Sequence, residues 1–374
     1  MPLNILVNAI PLTNVHTGIA RYTYMLYATM QAQYGSAINV TFFDGKNCLS
    51  TPPSGPQNIS GWNALVDVFW KLPPSIACSV RNAVQIKRER AIANVIGDFD
   101  VYHETGFFPF ACAAHIPTVF TVHDMSLQRH PEWHPKERVL FTETYFAKRA
   151  SLADHIITVS EFTRTEFHSV FPELSDIPVT PIHLGASPDI FAQQSNIPEL
   201  PDAYYLFVGS NDSRKHLDQV VAAVCAQNDL PLLVAGWNGW GKSIQHHEKI
   251  IPLGHVSDTL LAHLYSNATC LIYPSAYEGF GLPVLEAMQC GCPVITARNA
   301  SLPEVGSDAV YYINGAVSPE TIRHALNALR KEDRARYKQA GFVQAKKFSW
   351  KKTAQKTYDI LQQTSYNYTQ QNKK

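Results

Sequence analysis

Cys270-Leu-Ile-Tyr-Pro-Ser-Ala-Tyr-Glu-Gly-Phe-Gly-Leu-Pro-Val-Leu-Glu-Ala-Met288 reads as a short buried strand, a tight loop and the start of a helix. The apolar run Cys270–Tyr273 stops at Pro274. Gly279 and Gly281 then allow close backbone approach and positive φ. Pro283 suits the first helical turn, where a missing N–H costs nothing and φ is already set. A loop that feeds straight into a helix leaves backbone amides exposed, and such a helix start is an anion site. Two carboxylates frame it: Glu278 at the mouth of the loop and Glu286 just inside the helix, eight positions on (286 − 278 = 8). Core packing does not explain both.

The same strand-then-helix rhythm extends in both directions. Ile5–Val7, Val40–Phe43, Val101–Tyr102, Thr118–Val122 and His155–Val159 precede a pause, and Tyr205–Val208, Leu232–Ala235, Cys270–Tyr273 and Val294–Thr296 follow it. Alternating β and α patterns imply βαβ units and parallel sheets, an α/β protein. The pause lies between His183 and Tyr204, where Leu184-Gly-Ala-Ser-Pro-Asp189 and Ile197-Pro-Glu-Leu-Pro-Asp202 carry no periodicity. A chain of 374 residues, 45% hydrophobic, has enough material for two cores. The expected division is therefore a first domain over 1–188, a linker over 189–203, a second domain over 204–350 and a closing segment over 351–374. The polar end, Ser365 to Lys374, is expected to fray. Thr51 to Ser60, rich in proline, serine and glycine, and the aromatic stretch Trp62 to Leu72 read as an insertion. Arg81, Lys87, Arg88 and Arg90 then mark a mildly amphipathic helix with a basic face, open to two readings: a solvated surface, or one that docks an acceptor or a membrane.

Lysine plus arginine equals aspartate plus glutamate at 31 each, so no global field recruits nucleic acid and any anion site must be local. The seven cysteines are scattered without CxxC pairs, which disfavours disulfides and zinc and suits a reducing cytosol; Cys290-Gly-Cys292 has the wrong spacing for a metal. The first residues lack a basic leader and read as a strand. No run reaches the roughly 18–20 apolar residues of a membrane span, so a cytoplasmic protein, peripheral to the membrane at most, is expected. Asp98-Phe-Asp100 spells a metal-binding D-x-D but sits between a helix and a strand with no further carboxylates, so turn chemistry explains it. Gly236-Trp-Asn-Gly-Trp-Gly241 is not a dinucleotide fingerprint.

Tyr277–Met288 resembles the E-x7-E signature of retaining glycosyltransferase family 4. Further pieces match in order: His16-Thr-Gly-Ile-Ala-Arg-Tyr22, Thr121-Val-His-Asp-Met125, His130-Pro-Glu-Trp-His134, Thr158-Val-Ser-Glu-Phe-Thr-Arg164, Val208-Gly-Ser-Asn-Asp-Ser-Arg-Lys-His216, Leu253-Gly-His-Val-Ser257 and Ser301-Leu-Pro-Glu-Val305, the last resembling mannosyl- and rhamnosyltransferase-like members of bacterial polysaccharide biosynthesis. The resemblance spans residues 5 to about 306 of the chain. It implies the GT-B fold, two Rossmann-like domains facing across a cleft, with a last helix crossing back to the first domain. It also implies transfer of a hexose from a nucleotide-diphosphate sugar, GDP-mannose favoured, to a glycan or lipid-linked acceptor, with retention of configuration and neither metal nor resident cofactor.

On that resemblance Gly18, Gly209, His255, Val256, Gly279, Phe280, Gly281, Leu282 and Glu286 join the donor site, and His123 contacts the transferred sugar. The chemistry itself asks for fixed positive charge where a diphosphate departs, and Arg214 and Lys215 supply it beside Glu278. Many relatives carry an arginine directly after the strand-end glycine where this chain has Ser210, which shifts more of the phosphate load to Arg214. Tyr102-His-Glu-Thr-Gly106 also ends a strand, and His103 and Glu104 are candidates for the acceptor; for His123 a purely structural role is the competing reading. An epimerase of the same fold, or a non-catalytic relative, are the rival functions.

Overall fold

The computed structural model describes residues 1–13, 18–53, 72–186, 200–236, 247–331 and 334–371. The expected insertion falls largely outside them, as do much of the expected linker, His16 and Thr17, and most of the glycine run 236–241. The chain forms two compact units, Met1–Leu184 with Trp350–Lys374, and Gly185–Ser349.

The first unit is built on β1 (Leu3–Asn8), β2 (Ile38–Phe43), β3 (Cys48–Leu49), β4 (Val101–Glu104), β5 (Thr118–Val122), β6 (His155–Thr158) and β7 (Val179–Pro181). They lie in the order β3-β2-β1-β4-β5-β6-β7. Only β3 runs antiparallel to its neighbour. Ile5 pairs in register with Val40 on one side and Val101 on the other. Helices cover the sheet, so its central strands are buried on both faces and read as unbroken apolar runs. Leu6, Phe43, Tyr102 and Phe110 fill one cluster, and Phe120, Phe146, Ile156 and Phe167 another. Each such side chain contributes on the order of 1.5–3 kcal/mol by leaving water.

The helix Trp350–Gln371 belongs to this unit. It packs on β4, β5, β6 and the helix Gly18–Tyr34. Trp350, Ala354 and Leu361 are buried. Tyr358 stacks on Tyr34 at 3.9 Å, and the Thr353 hydroxyl donates to the His183 carbonyl at 2.8 Å. The tail departs from the sequence expectation, because the helix continues to Gln371. Thr364 is still buried there, and Thr369 Oγ1 donates to the Ser365 carbonyl one turn back.

The second unit holds β8 (Tyr205–Val208), β9 (Leu232–Ala235), β10 (Ile250–Gly254), β11 (Cys270–Tyr273), β12 (Val294–Thr296) and β13 (Tyr311–Tyr312). All are parallel, in the order β10-β9-β8-β11-β12-β13. Both units thus share one Rossmann-like plan. Sequence order reverses between β1 and β4 in the first and between β8 and β11 in the second. Loops leaving the carboxyl ends of the strands diverge at such a switch point and open a crevice for ligands.

On the basic helix Pro74–Ala93, Lys87 and Arg90 are exposed, but Arg81 departs from a uniformly outward basic face. Arg81 turns inward and forks onto Glu137 at 2.9 and 3.0 Å. Ile76, Val80 and Val84, four residues apart, are exposed instead. Asp100 accepts from the Asn4 amide and side chain at 2.8 and 2.9 Å, tying the turn before β4 to β1. No described helix is long and apolar enough to cross a membrane.

Candidate active site

Two loops flank the switch point of the second sheet. The one after β8 runs Gly209–His216, where Asp212 caps a single tight turn, Ser213–Lys215, by accepting from the Arg214 amide. His216 takes a left-handed conformation that ends the turn and starts the helix Leu217–Gln227. The loop after β11 runs Pro274–Gly281 into the helix Leu282–Gln289. Arg214 binds the two together. Its Nε donates to Asp212 at 3.0 Å and its Nη1 to the Tyr277 carbonyl at 2.7 Å, while its own carbonyl accepts from the Ala276 amide at 2.7 Å.

Glu278 is clasped in the same place. Tyr273 and Ser275 hydroxyls donate to its Oε1 at 2.7 and 2.9 Å, and Ser301 Oγ donates to its backbone carbonyl at 2.8 Å. Its Oε2 stands 3.6 Å from Arg214 Nη1, and its Oε1 4.0 Å from Lys215 Nζ. Lys215 is the exception in this well-bonded cluster. Its side chain is only 11% exposed, its ammonium lies 5.5 Å over the Tyr273 ring, and it makes no hydrogen bond among the described residues. Burial pulls its pKa down, and the Glu278 carboxylate opposes that pull. A desolvated ammonium with no acceptor is costly unless a ligand supplies one.

Backbone geometry makes room for that charge. Gly209 has φ +145°, and a methyl there would come within 2.7 Å of Lys215 Nζ. Gly209→Ala is expected to displace the ammonium, raise the donor KM about tenfold and lower the melting temperature through the forbidden φ; an unchanged KM contradicts this. Gly281, at φ +98°, caps the helix Leu282–Gln289, and a methyl on it would press to 2.9 Å on Leu302. Pro283 has no N–H, and the Val284 and Leu285 amides turn to the Gly281 carbonyl. The Gly281 and Leu282 amides are left with no acceptor among the described residues.

The other expected donor residues are spread around this core. Glu286, 7% exposed, accepts from Tyr265 OH at 3.2 Å, so it stands deeper than Glu278. Gly279 and Phe280 are buried, and Phe280 meets Phe348 edge-on at 5.8 Å. His255 is exposed and Val256 half-buried in the turn after β10, just before Ser257 caps the helix Asp258–Asn267.

In the first unit, Gly18 is the exposed first residue of its helix, with open space over its Cα. His123 follows β5, and its Nε2 donates to the Thr105 carbonyl at 2.8 Å while Tyr22 packs edge-on at 4.9 Å. That bond leaves Nδ1 as the accepting nitrogen of the neutral ring, and burial lowers the pKa to favour that form.

His103 and Glu104 are not placed to meet an acceptor. Both are wholly buried. His103 engages Tyr27 OH at 2.7 Å through Nδ1 and Thr121 Oγ1 at 2.9 Å through Nε2. Glu104 accepts from Asn8 Nδ2 at 2.7 Å, Tyr102 OH at 2.6 Å and the Gly106 amide at 2.8 Å. Strand β4 is central, so its side chains point into packed layers on both faces.

Burial pushes the His103 imidazole from 6.5 down to about 3 and lifts the Glu104 carboxyl from 4.5 to about 7, against hydrogen bonds that favour its anion. The depressed histidine contributes stability present above 6.5 and lost as pH falls toward 3; the raised glutamate contributes stability present below 4.5 and lost as pH rises through 7. The slopes oppose each other between 4.5 and 6.5. Glu104→Gln is expected to remove one, so its urea midpoint falls steadily from pH 6.5 to 4.5 while the parent stays nearly level; parallel profiles refute this.

Residues 16–189 match Glycosyltransferase Family 4, and residues 189–344 match Glycosyl transferases group 1. O-antigen chain mannosyltransferase B of Escherichia coli is 34% identical over 262 residues, 64% of this chain and 68% of that one. The chain belongs to glycosyltransferase family 4. The serotype-specific mannosyltransferase WbdA of Escherichia coli is 28% identical over 246 residues, and the match spans only 29% of that longer protein. Sucrose-phosphate synthase from Thermosynechococcus elongatus superposes with a TM-score of 0.73 at 17% identity, covering 97% of this chain and 99% of the other. WaaG, a glycosyltransferase involved in lipopolysaccharide biosynthesis, gives 0.61 at 15% identity over 96% and 99%. The fold is GT-B.

In this glycosyltransferase the second sheet's switch point gathers two cations, two carboxylates and, among the described residues, two unbonded amides, an arrangement that can hold a diphosphate and meet its growing charge. Tyr273, Ser275, Ser301 and Asp212, which fix Glu278 and Arg214, were not singled out for the site from the sequence. Only the short spacing of Asp212 and Arg214 offered a signal, that of a side chain capping its own turn.

Proposed function

We propose that this glycosyltransferase moves mannose from GDP-mannose, with retention of configuration and without a divalent metal, to a glycan or lipid-linked acceptor in O-antigen or related cell-surface polysaccharide synthesis. The observation that carries the donor half is the nearly buried Lys215 ammonium, which has no hydrogen-bond acceptor among the described residues, as the Gly281 and Leu282 amides of the neighbouring loop have none among them either. A diphosphate satisfies all three. The mannose and the O-antigen setting are supported by relatives named for both: O-antigen chain mannosyltransferase B and the O-antigen chain mannosyltransferase RfbU of Salmonella typhimurium, the latter 26% identical over 205 residues.

In this reading Arg214, Lys215 and the helix-start amides take the charge of the departing diphosphate, and Glu278 orients the two cations. His123 Nδ1 accepts from a hydroxyl of the sugar in transit. A departing phosphate oxygen takes the proton of the incoming acceptor hydroxyl on the same face, so no enzymic nucleophile is used. The free cysteines support a reducing, cytoplasmic setting. The exposed Ile76, Val80 and Val84 support peripheral contact with a membrane that carries a lipid-linked acceptor.

Melting the protein with GDP-, UDP-, dTDP- and ADP-sugars at equal concentration tests the donor, since the tightest ligand raises the transition most. GDP-mannose is expected to lead, and a flat response to all four defeats the proposal. Transfer should persist in chelator; activity lost in chelator and restored by divalent ions defeats the metal-independent part.

A further inference from the structure

Phe107 and Arg138 stand side by side at the strand ends of the first sheet. Phe107 lies in the loop after β4 whose Thr105 carbonyl holds His123. Its neighbours Gly106 and Phe108 are buried, yet its own ring is 43% exposed. Arg138 sits in the first turn of the helix Lys136–Ala150, with its guanidinium carbon 5.7 Å from the centre of that ring. Nearby arginines are neutralised: Arg81 by Glu137 and Arg149 by Glu89, both at 2.9 Å. Arg138 makes no ion pair and no side-chain hydrogen bond among the described residues, although it is half-buried.

Charge decides what this pair takes. The groups facing Arg138 electrostatically are Arg81, Glu137 and Asp124. Arg81 and Glu137 cancel, and the Asp124 carboxylate, which accepts from Ser126 N and Oγ at 2.9 and 2.7 Å, balances Arg138. No surplus positive charge is left to attract a phosphate. An exposed aromatic face beside a planar fork of N–H donors instead suits a ring with one apolar face and a rim of hydroxyls.

We propose that Phe107 and Arg138 form a subsite for a neutral pyranose ring of the acceptor, its C–H face on the phenyl ring and two adjacent hydroxyls accepting from the guanidinium. The proposal rests on reading the first unit as the acceptor side. Saturation-transfer NMR on the full chain, with methyl α-mannoside as probe and no nucleotide sugar present, tests it. Saturation is expected to concentrate on the C–H protons of one sugar face. It should fall about tenfold in Phe107→Ala, survive in Phe107→Trp, and fall about fivefold in Arg138→Leu.

Three results overturn it: no saturation of the probe by the parent at millimolar concentration, an unchanged signal in Phe107→Ala, or mannose 6-phosphate binding at least tenfold tighter than the mannoside through Arg138. Should Phe107→Ala fail to fold by circular dichroism, Arg138→Leu decides alone. The melting response to GDP-mannose is read separately. If it is present while the mannoside signal is absent, the subsite fails and the transferase reading stands; if it is absent while the mannoside binds, the reverse holds.

Discussion

Lys215→Met is expected to lower kcat for sugar transfer about 10²–10³-fold, the usual loss when one preorganised group facing a developing charge is removed. The ammonium sits over Tyr273, 4.0 Å from Glu278, with no hydrogen bond to it among the described residues. It gains most when the diphosphate carries its full leaving charge, so kcat should fall further than donor KM rises. Methionine keeps the length and apolar stem. The same substitution should leave the melting temperature of the unliganded protein unchanged or higher, because the long 4.0 Å pairing with Glu278 returns less than the desolvation of the ammonium costs, and Arg214 stays beside that carboxylate. Opposite signs in activity and stability separate a binding role from a structural one. A variant that melts lower and turns over normally refutes this account of Lys215.

Arg214→Ala is expected to differ in sign on the second measurement. It removes a charge that meets the diphosphate and also the fork that joins the Asp212 turn to the Tyr277 carbonyl. Turnover should fall about 10²-fold or more, with a smaller rise in donor KM, and the melting temperature should drop, since Asp212 and the Tyr277 carbonyl lose a charge-assisted partner. Arg214→Lys should recover little of either, because an ammonium cannot span both acceptors. Loss confined to KM, or full rescue by lysine, contradicts the role.

The two variants probe what was legible in the sequence. The loop of Glu278, Gly281 and Pro283 announced itself because glycine and proline carry local backbone information, and the structure puts Gly281 at positive φ at a helix start. The central strands were equally plain. Their edges were not: β7 and β13 have three and two residues, and β10 carries Pro252, which reads as a break yet is tolerated where one side of a strand is unpaired. His103 and Glu104 misled for the opposite reason. A central parallel strand is covered on both faces, so no alternation marks which side chains reach the ligand end. Tyr273, Ser301 and the pair Phe107–Arg138 become visible only when residues distant in sequence are brought together, which no local pattern encodes.

The first unit is discontinuous in the chain, with 1–184 at one end and the helix from Trp350 at the other, and the two crossings run side by side where Ala186 bridges Ser349. During synthesis, therefore, the amino-terminal sheet emerges from the ribosome without the helix that seals it. The later unit, complete by residue 349, is free to fold while its predecessor still waits. A released chain ending at Ser349 should accordingly leave the early half sensitive to protease and the inserted half resistant.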